Sequence, residues 1–347
     1  MSLPDTGRRF LVGLSWIAVY FAGARAASLG AQFLAGRLLG PDEFGRAHLV
    51  MGVAASVQIL PMLGFPFALS RSGTAPGGAE ERRAAMTASL AAFFVWTLFC
   101  VAGLAASGRV LSPVVGLDSG AWSLCVALAA ATALHLTLGG ALQGLGRFRE
   151  RGVSESVYGL ASFCAVALWL SLKPSSASAF VGSYVLGLGA AAAVSLWRLR
   201  DQLTASLVGA PLRQTLPFAT LGALSVVAAA LIQTPGRVVL YHLDSPRAAG
   251  IFSAYFMATV QVGLALVNML QAVLIPLASQ REGQREAWAM LRDWGPPAAV
   301  VLPGACAGGA AAVVAIMGRS YPLEPLWILL FALAASAILI HSVLAAV

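Results

Sequence analysis

The first long apolar segment of the chain contains one charged side chain, Arg25, with two polar side chains on the same helical face. Ser28 follows three residues after Arg25, and Gln32 follows four residues after Ser28. Residues at these spacings lie on one side of an α-helix. An arginine at the centre of a bilayer costs roughly 2.5 to 3.5 kcal/mol, so such residues usually have a functional role. We expect this face to point toward a cavity and not toward lipid.

The chemistry available to Arg25 is the binding of a phosphate-bearing group. A guanidinium holds phosphate oxygens through forked, charge-assisted hydrogen bonds, and a lipid diphosphate offers several such oxygens. The alternative is structural, because a long cationic side chain can also reach toward the headgroups or bond to carbonyls of neighbouring helices. The residue types favour the binding role for Arg25, Ser28 and Gln32.

Two further groups of polar residues recur at helical spacing in the second half of the chain. Gln233 and Arg237 are four residues apart, and Pro235 and Gly236 between them should loosen the helix. Arg237 is either a second contact for an anionic ligand or an anchor at the headgroup level. Its position near the end of a predicted span favours the anchor.

The second group consists of Gln261, Asn268 and Gln271, at spacings of seven and three. This stripe suits the hydroxyl groups of a sugar, but hydrogen bonds between helices explain it equally well. His48 and His135 are candidates for proton coupling, since histidine titrates near physiological pH. Each of them alone is more commonly a packed, satisfied residue.

The sequence does not have the features of an enzyme. No nucleophile, carboxylate pair or metal-ligand spacing converges, and no glycine-rich phosphate loop is present. The acidic residues are predicted in loops or at span ends, with Glu155 the deepest. The basic run "RFRER" at 147–151 is interpreted as a topology determinant in a loop. We therefore expect no catalytic activity, no metal and no cofactor.

The composition identifies the elements that must position these residues as membrane-spanning helices. Hydrophobic residues make up 59% of the 347 residues, charged residues only 10%, and the mean hydropathy is +0.82. A bilayer core about 30 Å thick needs about 20 apolar residues per helix, and most apolar segments have that length. The formal charge of +8 follows the loops and forms no basic stripe with interleaved aromatics, which argues against nucleic acid as a partner.

The apolar segments predict an all-α polytopic transmembrane helix bundle of about ten spans. The predicted spans are 11–39, 47–70, 84–106, 120–143, 154–172, 177–197, 211–240, 248–275, 296–317 and 326–347. Fourteen lysines and arginines fall on the side of the N-terminus and seven on the other side, with Arg25 inside the first span. Cytoplasmic loops carry the excess of Lys and Arg, so the N-terminus should be cytoplasmic.

The chain also carries an internal repeat at a constant offset of 205 residues. Pro41 and Gly45 in "GPDEFG" match Pro246 and Gly250 in "SPRAAG", and Trp122 matches Trp327. The offset predicts a six-helix lobe at 1–205 and a four-helix lobe at 206–347, in which the counterparts of residues 143–200 are missing. Because six is even, the two lobes are parallel repeats around an axis along the membrane normal. "GPDEFG" is expected to be a tight turn whose Gly45 permits close approach.

These segments resemble the multidrug/oligosaccharidyl-lipid/polysaccharide (MOP) flippase superfamily, in its polysaccharide-biosynthesis and O-antigen flippase branch. The resemblance rests on "AGRLLGPDEFGRAHLV", "LQGLGRFRERGV" and the segment from "LRQTLPFATLG" through "TPGRVVLYHLDSPRAAGIFSAYF". It implies a MATE-like fold of two lobes, of which the second is incomplete. This chain departs from the family pattern in two ways. Ten spans are predicted, whereas the family usually has twelve or fourteen. In "TPGR" no acidic residue precedes the arginine, whereas relatives often carry one there.

The resemblance implies a flippase that moves undecaprenyl-diphosphate-linked oligosaccharide across the bacterial inner membrane for surface polysaccharide biosynthesis. Its partners would be the lipid-linked oligosaccharide, membrane lipids and the polysaccharide polymerase machinery. Two alternatives stay open. One is a cation-coupled drug exporter of the same superfamily, and the other is a non-transporting, truncated membrane protein.

Overall fold

The chain forms an all-helical bundle. The structure, a computed structural model, describes residues 5–72, 78–172, 176–203, 234–264 and 281–346, along with residues 220, 223, 224 and 227. The helices are α1 (Asp5–Val57), α2 (Ile59–Met62), α3 (Phe65–Ser72), α4 (Ala79–Ala106), α5 (Gly108–Val114), α6 (Ser119–Gly144), α7 (Phe148–Leu172), α8 (Ala177–Leu199), α9 (Pro235–Leu243), α10 (Pro246–Phe256), α11 (Arg281–Met317) and α12 (Pro325–Ala346). A 3-10 turn (Arg200–Gln202) follows α8, and a π-helical turn (Met257–Gln261) continues α10.

Five helices in the described part of the chain are long and apolar enough to cross a membrane. They are Glu80–Ala106, Ser119–Gly144, Phe148–Leu172, Ala177–Gln202 and Gly295–Met317. The predicted spans at 84–106, 120–143, 177–197 and 326–347 agree with α4, α6, α8 and α12. Most of the predicted span 211–240 lies outside the described residues. The protein is therefore a polytopic helical membrane protein.

The first two predicted spans meet at Gly40, in a helical stretch that runs without interruption in the assignment. The spans 11–39 and 47–70 are joined in α1, which bends at Gly40 (φ 69°, ψ 171°) and continues from Pro41. Glycine adopts this positive φ without strain, and proline is favoured at the first position of the helix that follows. The predicted turn is therefore present, and it divides α1 into two helical arms, one before Gly40 and one from Pro41 onward.

The second arm of α1 is followed by another break, at Leu63 (φ 35°) and Gly64 (φ 71°). A broken helix inside a membrane leaves carbonyl groups that need other donors. The indole Nε1 of Trp96 in α4 donates to the Leu60 carbonyl oxygen at 2.7 Å. The predicted span 47–70 is thus three short helical pieces held by α4.

The N-terminal part (residues 5–203) and the C-terminal part (residues 234–346) cross with their backbones in contact. A Cβ placed on Gly45 would overlap the carbonyl oxygen of Pro246, and a Cβ on Gly250 would overlap the carbonyl oxygen of Pro41. Glycine allows helices to approach this closely. The contact is reciprocal between residues that match at the offset of 205. The division into lobes at residue 205 stays a prediction that this geometry fits.

Polar contacts also join helices at the same end of the bundle. The hydroxyl of Tyr321 donates to the Gly36 carbonyl oxygen at 3.0 Å, and Arg247 lies 3.8 Å from the carboxylate of Asp42. The hydroxyl of Tyr255 accepts a hydrogen bond from the Glu324 backbone nitrogen at 2.9 Å. We call this end, which carries the turn at Gly40 and the turn at 244–245, the crossing end.

The close contact at Gly45 and Gly250 predicts that a methyl group added there destabilises the protein, whereas one added at an exposed glycine does not. Gly45→Ala or Gly250→Ala should lower the free energy of unfolding by about 1 to 3 kcal/mol, because overpacking a tight contact is destabilising. Gly103→Ala is the matched control, since Gly103 lies exposed in α4 and a Cβ there meets nothing within 4 Å. Alanine is the better helix former by roughly 0.5 to 1 kcal/mol, so the control should be neutral or stabilising. Thermal unfolding in detergent measures both effects, and equal shifts in the three variants would contradict the close crossing.

Candidate functional site

A cavity of about 550 Å³, lined by both polar and apolar side chains, lies between the N-terminal part and the segment of the C-terminal part that runs from α9 to the residues after the π-helical turn. Its walls come from both arms of α1, from α6, α7 and α8, and from the C-terminal part through Arg237 and Gln261. The predicted site residues on this wall are Arg25, Ser28, Gln32, His48, His135, Arg237 and Gln261. The remaining three, Gln233, Asn268 and Gln271, lie outside the described residues.

The Arg25 face of α1 lines the cavity, as its spacing predicts. Ser28 is buried, and its carbonyl oxygen accepts a hydrogen bond from the Tyr184 hydroxyl at 3.1 Å. Gln32 is buried, and its Oε1 has no hydrogen-bond partner. Arg25 is half-buried and forms no ion pair with any described residue. Its guanidinium is therefore available to an anion in the cavity.

A buried charged cluster, which the sequence interpretation missed, occupies the wall formed by α6 and α7. Glu155 is 3% exposed, accepts a hydrogen bond from Arg151 Nη2 and lies 3.1 Å from His135 Nε2. The prediction that every acidic residue lies in a loop or at a span end was wrong for Glu155. A fully buried carboxylate is stable here because two cationic or donor groups surround it.

The error has a local cause, the position at which α7 begins. The helix starts at Phe148 and not at 154, so Arg151 and Glu155 lie one turn apart inside the bundle. Gly139 of α6 makes the room, because a Cβ there would overlap the Arg151 guanidinium. The i, i+4 spacing of an acid and a base in "RERGVSE" was the available signal. Arg151 consequently belongs to the site and is not only a topology determinant.

Arg237 was also misplaced by the sequence interpretation, which favoured an anchor at the headgroups. Helix α9 begins at Pro235, and Arg237 in its first turn is only 4% exposed on the cavity wall. Its guanidinium carbon lies 4.7 Å from the centre of the Phe256 ring. The hydroxyl of Thr234 donates to the Gly52 carbonyl oxygen at 3.2 Å and ties the start of α9 to α1.

The helix opposite Arg237 departs from regular α-helical geometry at the cavity. Residues Met257–Gln261 form a π-helical turn directly after Phe256, and Gln261 at its end lines the cavity. Single π turns within α-helices are frequent at functional sites, because they redirect side chains and free backbone groups. Here Phe256, directly before the turn, packs on Arg237, and Gln261, at its end, lines the cavity.

The charges on the cavity wall are unbalanced. The charged lining residues are Arg25, Arg151, Arg237 and Glu155, which gives three cations and one anion. Glu155 is already engaged by Arg151 and His135. Inside a membrane protein, charges that lack a protein partner point to a ligand or ion pathway. The cavity is therefore suited to an anionic ligand.

Solved structures of membrane transporters share this all-helical fold. A MOP superfamily transporter from Pyrococcus furiosus is 11% identical with a TM-score of 0.61, and the match covers 94% of this chain and 77% of the other. An inward-facing multidrug-resistance MATE transporter of the MOP superfamily is 13% identical with a TM-score of 0.56, covering 95% and 78%. A eukaryotic MATE transporter is 16% identical with a TM-score of 0.51, covering 99% and 82%.

The sequence itself identifies the family of this chain. The family model described as polysaccharide biosynthesis protein matches residues 10–282, and the chain is a member of that family. No curated protein sequence shows significant similarity to it. The expected resemblance to the MOP flippases and the expected MATE-like fold are both confirmed.

Because Glu155 and Arg151 are buried as a pair, the stability of the protein should depend strongly on keeping both charges. Glu155→Gln leaves the Arg151 guanidinium buried without a counter-charge, which should lower the free energy of unfolding by roughly 3 to 5 kcal/mol. The double variant Arg151→Gln with Glu155→Gln should recover part of that loss. Glu43→Gln is the matched control, since the Glu43–Arg46 pair is partly exposed and worth no more than about 1 kcal/mol. Equal losses for Glu155→Gln and Glu43→Gln in thermal unfolding would contradict the buried pair.

Proposed function

We propose that this transporter is a flippase for lipid-linked oligosaccharide, carrying undecaprenyl-diphosphate-linked glycan across the bacterial inner membrane for surface polysaccharide biosynthesis. The observation that supports it most directly is the surplus of arginine over carboxylate on the cavity wall. A diphosphate would supply the negative charge that balances these surplus arginines. The family to which the chain belongs supports a saccharide as the transported group.

In this proposal Arg25 contacts the diphosphate, and neutral polar side chains contact the sugar. Arg25 has an unpaired guanidinium, and arginine binds phosphate through forked hydrogen bonds. The cavity also presents the amides of Gln32, Gln58 and Gln261. Amides both donate and accept hydrogen bonds, which suits the hydroxyl groups of a glycan.

A cation-coupled drug exporter of the same superfamily fits this cavity less well. An organic cation or a coupling cation calls for a carboxylate that is free to bind it. Glu155 is the cavity carboxylate in the described part of the chain, and Arg151 and His135 already engage it. The Pyrococcus furiosus transporter is described as having a binding pocket of reverse polarity that suggests a different function for that protein. The same structural class therefore includes a pocket of altered charge.

The transport mechanism we infer is alternating access around the cavity. The excess of Lys and Arg on the side of the N-terminus supports a cytoplasmic N-terminus, so the crossing end would face away from the cytoplasm. Residues of both parts hold that end shut through the Gly45–Gly250 crossing and Tyr321. Opening it requires the two parts to separate there, as in transporters whose lobes rock about a central site. Membrane lipids and the polysaccharide polymerase machinery are the partners we expect.

Rescue of surface-polysaccharide export in a flippase-deleted bacterium tests this function. The wild-type chain should restore export, and Arg25→Ala at matched membrane levels should reduce it at least tenfold. Arg25→Lys should keep part of the activity, because an ammonium retains the charge without the fork. Arg109→Ala is the matched control, since Arg109 is exposed and lies away from the cavity.

Absence of rescue by the wild-type chain, despite stable insertion, would contradict the flippase proposal. It would favour the hypothesis of a non-transporting membrane protein. If Arg25→Ala rescues export as well as the wild type does, the flippase proposal stands, but Arg25 does not contact the substrate.

A further inference from the structure

The end of α8 presents an exposed aromatic ring with two exposed arginines beside it. Trp197 is 52% exposed. The guanidinium carbon of Arg198 lies 4.7 Å from the centre of the Trp197 ring, and that of Arg200 lies 5.0 Å from it. A cation over an aromatic ring is attracted to the negative face of the ring. The ring therefore holds two positive charges at one point on the surface of the protein.

The neighbouring carboxylate in the chain does not neutralise these charges, because other residues already engage it. Arg147 donates to Asp201 through both of its terminal guanidinium nitrogens, and Gln202 Nε2 donates to the same carboxylate at 3.0 Å. Neither Arg198 nor Arg200 has a carboxylate of the described residues within 4.0 Å of its nitrogens. Both guanidinium groups are therefore open to an anion from outside the protein.

An apolar, exposed face of α8 leads along the helix to this pair of arginines. The exposed residues of the face are Leu186, Ala190, Ala193 and Leu196. They recur every three or four residues, so they lie on one side of the helix. The segment Ala177–Gln202 is one of the helices long and apolar enough to cross a membrane. The apolar face consequently lies against acyl chains, and Trp197 and Arg200 lie near the level of the headgroups.

A phospholipid has the same order of apolar and charged groups. Its acyl chains match the exposed face of α8, and the two free oxygens of its phosphate match the forked donors of a guanidinium. A headgroup that also carries an ammonium group would bring a positive charge toward two arginines. Anionic lipids carry no such group, and basic residues beside a membrane span attract them. The charge of the site therefore favours an anionic lipid over a zwitterionic one.

We propose that Trp197, Arg198 and Arg200 form a binding site for an anionic phospholipid of the surrounding leaflet. The headgroup phosphate contacts the two guanidinium groups, and an acyl chain lies along the exposed face of α8. None of the three residues lines the cavity, so this site is separate from the transport path. The bound lipid holds the end of α8 at the level of the headgroups. The inference does not depend on the identity of the cargo.

Quenching of tryptophan fluorescence by brominated lipids, measured on the full chain in nanodiscs, tests the site. The nanodiscs contain either brominated phosphatidylglycerol or brominated phosphatidylcholine at increasing fractions in unlabelled phosphatidylcholine. The signal of Trp197 is the difference between the wild type and Trp197→Phe. Half-maximal quenching of this signal should require at least fivefold less brominated phosphatidylglycerol than brominated phosphatidylcholine.

Variants of the two arginines show whether they cause the preference. Arg198→Gln with Arg200→Gln, measured against the same variant carrying Trp197→Phe, should bring the two lipids within twofold of each other. Both positions are exposed, so this variant should fold. Arg198→Lys with Arg200→Lys should keep part of the preference, because lysine retains the charge without the fork. The matched control is Arg109→Gln with Arg319→Gln, two exposed arginines elsewhere on the protein, which should keep the full preference.

Three results would overturn the site. One is equal quenching of Trp197 by the two brominated lipids in the wild type. The second is a preference for phosphatidylglycerol that Arg198→Gln with Arg200→Gln leaves unchanged. The third comes from adding farnesyl diphosphate to nanodiscs with brominated phosphatidylcholine. If it protects Trp197 from quenching while phosphatidylglycerol shows no preference, the surface binds the head of an isoprenoid diphosphate and not a phospholipid.

Discussion

The approach of two helices at Gly45 and Gly250 is the constraint on which the rest of the interior depends. Backbone atoms of the N-terminal and C-terminal parts touch there, and no side chain larger than hydrogen fits at either position. Lipid offers no hydrophobic drive between helices, so close backbone packing is a main source of association in membranes. The crossing joins the two parts at one end of the bundle, and the cavity lies between them.

The cavity wall contains charged side chains that would be costly to place elsewhere in the membrane. Arg25, Arg151 and Arg237 lie on its wall, and Glu155 balances only one of them. Such a surplus persists in a membrane protein when an anion or water compensates it during the working cycle. An amphiphilic anion, with a charged headgroup for the cavity and an apolar chain for the lipid, is the cargo that this arrangement favours. The chain belongs to a polysaccharide biosynthesis family, which agrees with a saccharide attached to that headgroup.

Features that follow a regular spacing were predictable from the sequence, whereas the burial of residues near helix starts was not. The three- and four-residue spacing placed Arg25, Ser28 and Gln32 on the cavity wall, and hydropathy located α4, α6 and α8 within a few residues. Glu155 and Arg237 were misjudged because each lies within two turns of a helix start. At such positions hydropathy cannot separate a loop from a buried first turn, which depends on small neighbours such as Gly139 on another helix.

The most direct test of this account is an experimental structure of the full chain in lipid nanodiscs with a polyprenyl-diphosphate-linked oligosaccharide. The account predicts that the diphosphate lies inside the cavity, within hydrogen-bonding distance of Arg25 or Arg237, while the polyprenyl chain lies among the surrounding lipids. A headgroup bound on the outer, lipid-facing surface, with the cavity arginines paired to protein carboxylates, would contradict it.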